Sequence, residues 1–153
     1  MSTTTKIPLT GSCKCGFVKY TLKAKVNADG VMNVNRCNCT FCQKLGTTNY
    51  YCDGPEDFEL LSPASKEELG LYAPRVKTCP RRFCKECGNH VMMDGYYEMP
   101  TGGRRDMFVV NIATIDQPQA GVDLNNVNIS YYDGLTGSQM KGTQDKPFPG
   151  GLV

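Results

Sequence analysis

The sequence predicts a mainly β domain stapled by cysteine knuckles, and three observations carry that expectation. Apolar and β-branched residues come in short runs, several of them partly alternating, with no long stretch of helical period. Sixteen glycines and nine prolines interrupt those runs, so the chain divides into many short elements joined by turns. Seven of the nine cysteines fall into three tight groups: Cys13 and Cys15 in GSCKCG, Cys37, Cys39 and Cys42 in RCNCTFCQK, and Cys84 and Cys87 in FCKECG.

Taken in order, residues 1 to about 9 read as a loose lead-in to the first knuckle. Phe17, Val18, Tyr20 and Leu22 then give a strand at roughly 17–24. Asn27-Ala28-Asp29-Gly30 is a turn, after which Val31, Met32 and Val34 lead into the middle cysteine group at the end of a short strand. Thr47 to Cys52 and Phe58 to Leu61 read as further strands, separated by the breaker Asp53-Gly54-Pro55. Between Pro63 and Gly70, Ser65 is placed to cap a single helical turn, with a polar loop as the alternative. Leu69 to Ala73 and Val76 to Cys79 read as strands before the last knuckle, and His90 to Met93 as one after it. Tyr96 to Arg105 reads as a loop, and Met107 to Ile115, the most apolar stretch, as a central strand. Val127 to Tyr132 is a last strand, and the tail from Gly134 has too few apolar residues to pack strongly.

Residues 1–153 fit one domain, long enough for a modest core with 40% hydrophobic residues. A net charge of +2 from 17 basic and 15 acidic residues gives no electrostatic case for nucleic acid; the densest basic spots are Arg81-Arg82 and Arg104-Arg105. A secreted disulfide scaffold is disfavoured by the odd cysteine count, by the chain length and by a first segment, MSTTTKIPLT, without a signal-peptide core. No run approaches the roughly 18 apolar residues of a membrane span. A soluble protein of the reducing cytoplasm is expected.

Cysteines one residue apart rarely bridge to each other, whereas turns that gather CxC or CxxC sulfurs onto one tetrahedral ion are common. Both outer groups end in Cys-Gly, at Gly16 and Gly88, where glycine can take the positive φ that turns the backbone over a metal. Seven ligands divide into four and three. Cys13, Cys15, Cys84 and Cys87 fit a closed structural zinc, with iron–sulfur ligation or unmetallated thiols the alternatives, and Cys37, Cys39 and Cys42 fit an open zinc whose fourth position takes a ligand. Three thiolates leave that ion net negative, so it suits an incoming thiol better than water. Cys52, Cys79 or His90 could instead close it; otherwise Cys52 and Cys79 read as buried apolar thiols. His90 is the only histidine, which excludes a His-rich metal site, and a hydrogen bond near the closed site is its expected role. Asn38, Thr40, Gln43 and Lys44 are candidate hydrogen-bond donors around the middle thiols, and the tyrosines are read mostly as core or rim residues.

The ordered set GSCKCG, RCNCTFCQK and RRFCKECG resembles the glutathione-dependent formaldehyde-activating enzymes, a family that includes centromere protein V. The similarity spans roughly residues 8–115, leaving a C-terminal extension that carries no matching motif. The resemblance implies a Mss4-like β fold, a structural zinc on Cys13, Cys15, Cys84 and Cys87, and a catalytic zinc on Cys37, Cys39 and Cys42. It also implies a carbon–sulfur lyase with glutathione as cosubstrate, forming or cleaving S-hydroxymethylglutathione or a related thiol–aldehyde adduct. Many members have histidine where this chain has Asn38, and arginine or lysine where it has Gln43. The alternative from a different class is a noncatalytic zinc-binding interaction module. A small-molecule thiol or aldehyde is the expected partner, with no nucleic acid and no membrane.

Overall fold

Residues 3–137 and 142–153 are described by the computed structural model, and ten strands among them form one sheet. Strand β1 (Thr5–Ser12) pairs antiparallel with β2 (Lys19–Val26) along its whole length, and the first cysteine knuckle is their turn. The lead-in is therefore mostly a strand, although residues 1–2 lie outside the described residues. Pro8 masks the signal in sequence, yet Leu9 is buried against the core while Pro8 is exposed, as period-two alternation requires.

The chain continues through β3 (Met32–Cys37), helix α1 (Thr40–Leu45), β4 (Asn49–Tyr51), β5 (Phe58–Ser62) and β6 (Gly70–Tyr72). It ends with β7 (Arg81–Phe83), β8 (His90–Glu98), β9 (Arg104–Asn111) and β10 (Val127–Tyr132). The sheet order is β1-β2-β3-β4-β9-β8-β7-β6, with β5 beside β2 and β10 running parallel to β3. Ser65 does cap a single 3₁₀ turn at Lys66–Glu68, in a capping box with Glu68. Two expectations fail. Val76 to Cys79 forms turns rather than a strand, and Tyr96 to Arg105 is mostly the β8–β9 hairpin, paired from Met92↔Val110 to Glu98↔Arg104. Its outer half is polar because that end of the hairpin faces solvent.

The core follows from alternation. On β2, Tyr20, Leu22, Ala24 and Val26 point inward while Lys19, Lys23 and Lys25 point out, and the inward set meets Leu9, Met32, Val34 and Val110. Each fully buried side chain of this size contributes about 1.5–3 kcal/mol. Tyr20 also stacks on Phe58 with ring centroids 4.9 Å apart, and its hydroxyl shares a 2.8 Å hydrogen bond with Thr114.

The carboxylate of Asp94 is buried beside Arg82, with the exposed Lys66 as its second partner. Arg82 Nε donates to Asp94 Oδ1 at 2.6 Å and Lys66 Nζ to Oδ2 at 2.8 Å. Burial pushes the Asp94 carboxyl up, but the bonds from Arg82 and Lys66 outweigh it and hold the group below its ordinary value of 3.8. Its contribution is thus present above pH 3.8 and is lost as pH falls through the lower folded value. Removing one member strands the other charge, so Asp94→Ala should lower stability by about 3 kcal/mol at neutral pH. Thermal melts should show a drop in Tm of roughly 6–12 °C that shrinks in acid.

Candidate metal centres and active-site cavity

Two turns carry the outer cysteines, and the fold brings them face to face. Cys13 and Cys15 sit between β1 and β2, Cys84 and Cys87 between β7 and β8, and all four sulfurs lie within 4.8 Å of one another. The separations Cys13–Cys15, 3.5 Å, and Cys15–Cys84, 3.7 Å, are close to the sulfur–sulfur edge of about 3.8 Å in a tetrahedral zinc site with ~2.3 Å bonds. Gly16 and Gly88 have φ of +80° and +78°, the turn conformation expected after each knuckle. Backbone N–H groups already point at the sulfurs: Val18 N donates to Cys13 Sγ at 3.2 Å, and the N–H groups of Asn89 and Cys15 pull the Cys87 thiol down to about 6. Burial raises the Cys84 thiol to about 12. These residues can hold a metal ion.

Cys37, Cys39 and Cys42 form the second group, again with sulfurs within 4.8 Å. Cys37 ends β3, Cys39 is the N-cap of α1, and Cys42 lies one helical turn on, so a strand end and a helix start aim three thiols at one point. Cys42 N donates to Cys39 Sγ and Cys39 N to Cys37 Sγ, each at 3.4 Å. Hydrogen bonds with Cys37 and then Cys42 pull the Cys39 thiol down, and those with Cys39 and then Cys42 push Cys37 up. The helix itself was hidden in the cysteine motif. Its start rests on a cysteine cap in place of serine or aspartate, and its end on Gly46 at φ +65°.

The C-terminal extension folds onto this group, contrary to the expectation of a weakly packed tail; residues 138–141 lie outside the described residues. Tyr132 pairs with Cys37 in the β10–β3 ladder. Asn38, buried between the cysteines, donates to Asp133 Oδ1 at 3.1 Å and to the Pro149 carbonyl at 3.3 Å, and accepts from Leu135 N at 3.0 Å. Gln43 accepts from Leu152 N at 3.1 Å, and Arg36 donates to the Val153 carbonyl. Asn38 and Gln43 thus bind the extension as well as flanking the thiols.

On its open side the three-thiol group forms part of the wall of a cavity of about 480 Å³. Tyr51, Tyr97, Arg75, Arg81 and Arg105 also line it, and Cys79 sits in its wall. Arg81 lies over the Phe41 ring at 4.9 Å, and Phe41 stacks on Tyr72 at 5.3 Å, which fixes a cation one residue from Cys42. No residue of the four-thiol group lines this cavity. Among the described residues, Cys52, Cys79 and His90 do not join the three sulfurs. Cys52 flanks the core, with its thiol raised to about 12 by burial. His90 is not hydrogen-bonded to the closed cluster. Asn89 takes that part, accepting from Lys14 N at 2.6 Å and from Cys87 Sγ at 3.7 Å. The His90 ring instead packs on Phe83 and edge-on to Phe41, with Nδ1 buried and unpartnered; burial and then Arg81 lower its pKa.

Arg75, Arg81 and Arg105 went unassigned in the sequence, although the doublets that hold the last two were visible. In each doublet adjacent residues of a strand face opposite ways. Arg81 and Arg105 line the cavity, while Arg82 binds Asp94 and Arg104 binds Asp106.

Residues 8–129 match the model of the glutathione-dependent formaldehyde-activating enzyme family. The chain belongs to that family. A solved structure from Rhodobacter sphaeroides is similar at 23% identity with a TM-score of 0.57, covering 81% of this chain and 100% of its own, a likeness of fold. No curated protein matches the sequence. The family match ends inside β10, so the extension that Asn38 and Gln43 hold lies beyond it.

A Cβ on Gly134 would meet Cys37 Sγ at 2.3 Å and Cys39 Cβ at 2.8 Å. Gly134→Ala should therefore displace the middle thiols. Cobalt titration should show the three-thiol group weakened by roughly tenfold or more, with the four-thiol group unchanged.

Proposed function

We propose that the chain is a zinc-dependent carbon–sulfur lyase of the glutathione-dependent formaldehyde-activating type, forming or cleaving S-hydroxymethylglutathione or a related thiol–aldehyde adduct. The observation that carries this reading is the difference between the two thiol groups: three thiols face a cavity and four do not. Cys13, Cys15, Cys84 and Cys87 would hold a structural zinc and Cys37, Cys39 and Cys42 a second one. With an exchangeable position, zinc at the second group would hold the glutathione sulfur as thiolate.

In the forward direction the glutathione sulfur bonds to the aldehyde carbon and the thiol proton ends on the former carbonyl oxygen; the reverse direction breaks that carbon–sulfur bond. Arg75, Arg81 and Arg105 offer cations to the carboxylates of glutathione. Burial raises the Tyr51 and Tyr97 hydroxyls above their ordinary value of 10, so both are protonated at neutral pH and either can donate a hydrogen bond to the aldehyde oxygen. The side chains Asn38, Gln43 and Arg36 act indirectly, by holding the extension against the thiol group.

Two substitutions test the division of labour. Cys42→Ser should cut turnover by more than about a hundredfold, beyond what loss of an outer-shell partner costs, and native mass spectrometry should count one zinc instead of two. Cys87→Ser should lower Tm sharply by opening the tie between the hairpin turns. Equal Tm losses in the two variants would refute separate structural and catalytic sites.

A further inference from the structure

The cavity has two kinds of wall, and glutathione accounts for only one. Its arginines suit carboxylates and its thiols suit the sulfur end. Part of the remaining surface, beside polar positions such as Asn49, Asp133 and Thr143, belongs to a small apolar cluster separate from the main core: Cys79, Met93 and Val109 are buried, with Tyr51, Val76, Tyr97 and Met107 packed against them. All of these except Val109 line the cavity. Apolar surface held open in a cavity is stabilised when an apolar group covers it, and a one-carbon hydroxymethyl group brings almost none.

Size and placement agree with a larger occupant. About 480 Å³ is some three times the roughly 150 Å³ that accepts a benzene-sized ligand, and it lies within the range of small-molecule sites. Tyr51 belongs to the apolar cluster and lines the same cavity as the three thiols, so a group attached to a sulfur at those thiols shares that cavity with Met93 and Met107. We infer that the preferred substrate is the glutathione adduct of an aldehyde bearing an aromatic or medium-length apolar group, which seats on Val76, Met93, Tyr97 and Met107. This rests on the enzyme reading above and narrows its substrate class.

Stable thioethers test it apart from turnover. Calorimetric titration of the zinc-loaded protein with S-benzylglutathione and S-methylglutathione should give an affinity ratio of at least roughly tenfold in favour of the benzyl ligand, as burial of a ring provides. Val76→Asp, at a half-buried turn position, should collapse that ratio by placing a charge in the apolar wall. If the variant does not fold, Met107→Gln makes the same test. Equal affinities for the two thioethers would overturn the inference and leave the enzyme reading standing. Failure of both thioethers and of glutathione itself to bind would overturn the two together.

Discussion

The four-thiol tie is the constraint on which the rest of the molecule depends. In the sheet order β1 stands at one end and β7 and β6 at the other, yet the turn after β1 and the turn after β7 meet sulfur to sulfur. The sheet must bend until its ends approach, and the core of Leu9, Tyr20, Leu22, Met32, Val34 and Val110 fills the bend. A metal ion there would close a long loop, whose entropic penalty grows only slowly with length. Holding two hairpin turns together leaves the middle of the sheet free to present a different chemistry.

That chemistry is local in sequence and supported from a distance. Three thiols on a strand end, a helix cap and one helical turn converge without any distant residue, but their setting comes from elsewhere. Arg81 reaches them from β7 over the Phe41 ring, and the extension after β10 presses glycine backbone against Cys37. Asn38 and Gln43 join the two, because each flanks a thiol and hydrogen-bonds the extension. The extension lies past the stretch matched to the family.

The mainly β class, the grouping of the cysteines into four and three, and the turns at Gly16 and Gly88 were legible because each rests on short-range rules of spacing and φ. What was not legible depended on partners far along the chain. Strand β1 carries a proline and earns its place only by pairing with β2. The outer half of β8–β9 looked like a loop because its polar residues face water, and α1 was concealed because cysteine is an uncommon cap. The cavity needed three dimensions: Arg75, Arg81, Tyr97 and Arg105 come from a loop and three strands, and no spacing rule joins them.

The contrast between a contiguous and a divided set of thiols also orders events during synthesis. As the chain leaves the ribosome, Cys37, Cys39 and Cys42 emerge together, whereas Cys13 and Cys15 wait for Cys84 and Cys87 before their set is complete. The described segments that pack on the middle thiols, 132–137 and 142–153, emerge after all seven of these cysteines. A nascent chain therefore exposes its middle thiols from the moment they appear until those segments have docked, and during that interval they are open to metal delivery and to oxidants alike.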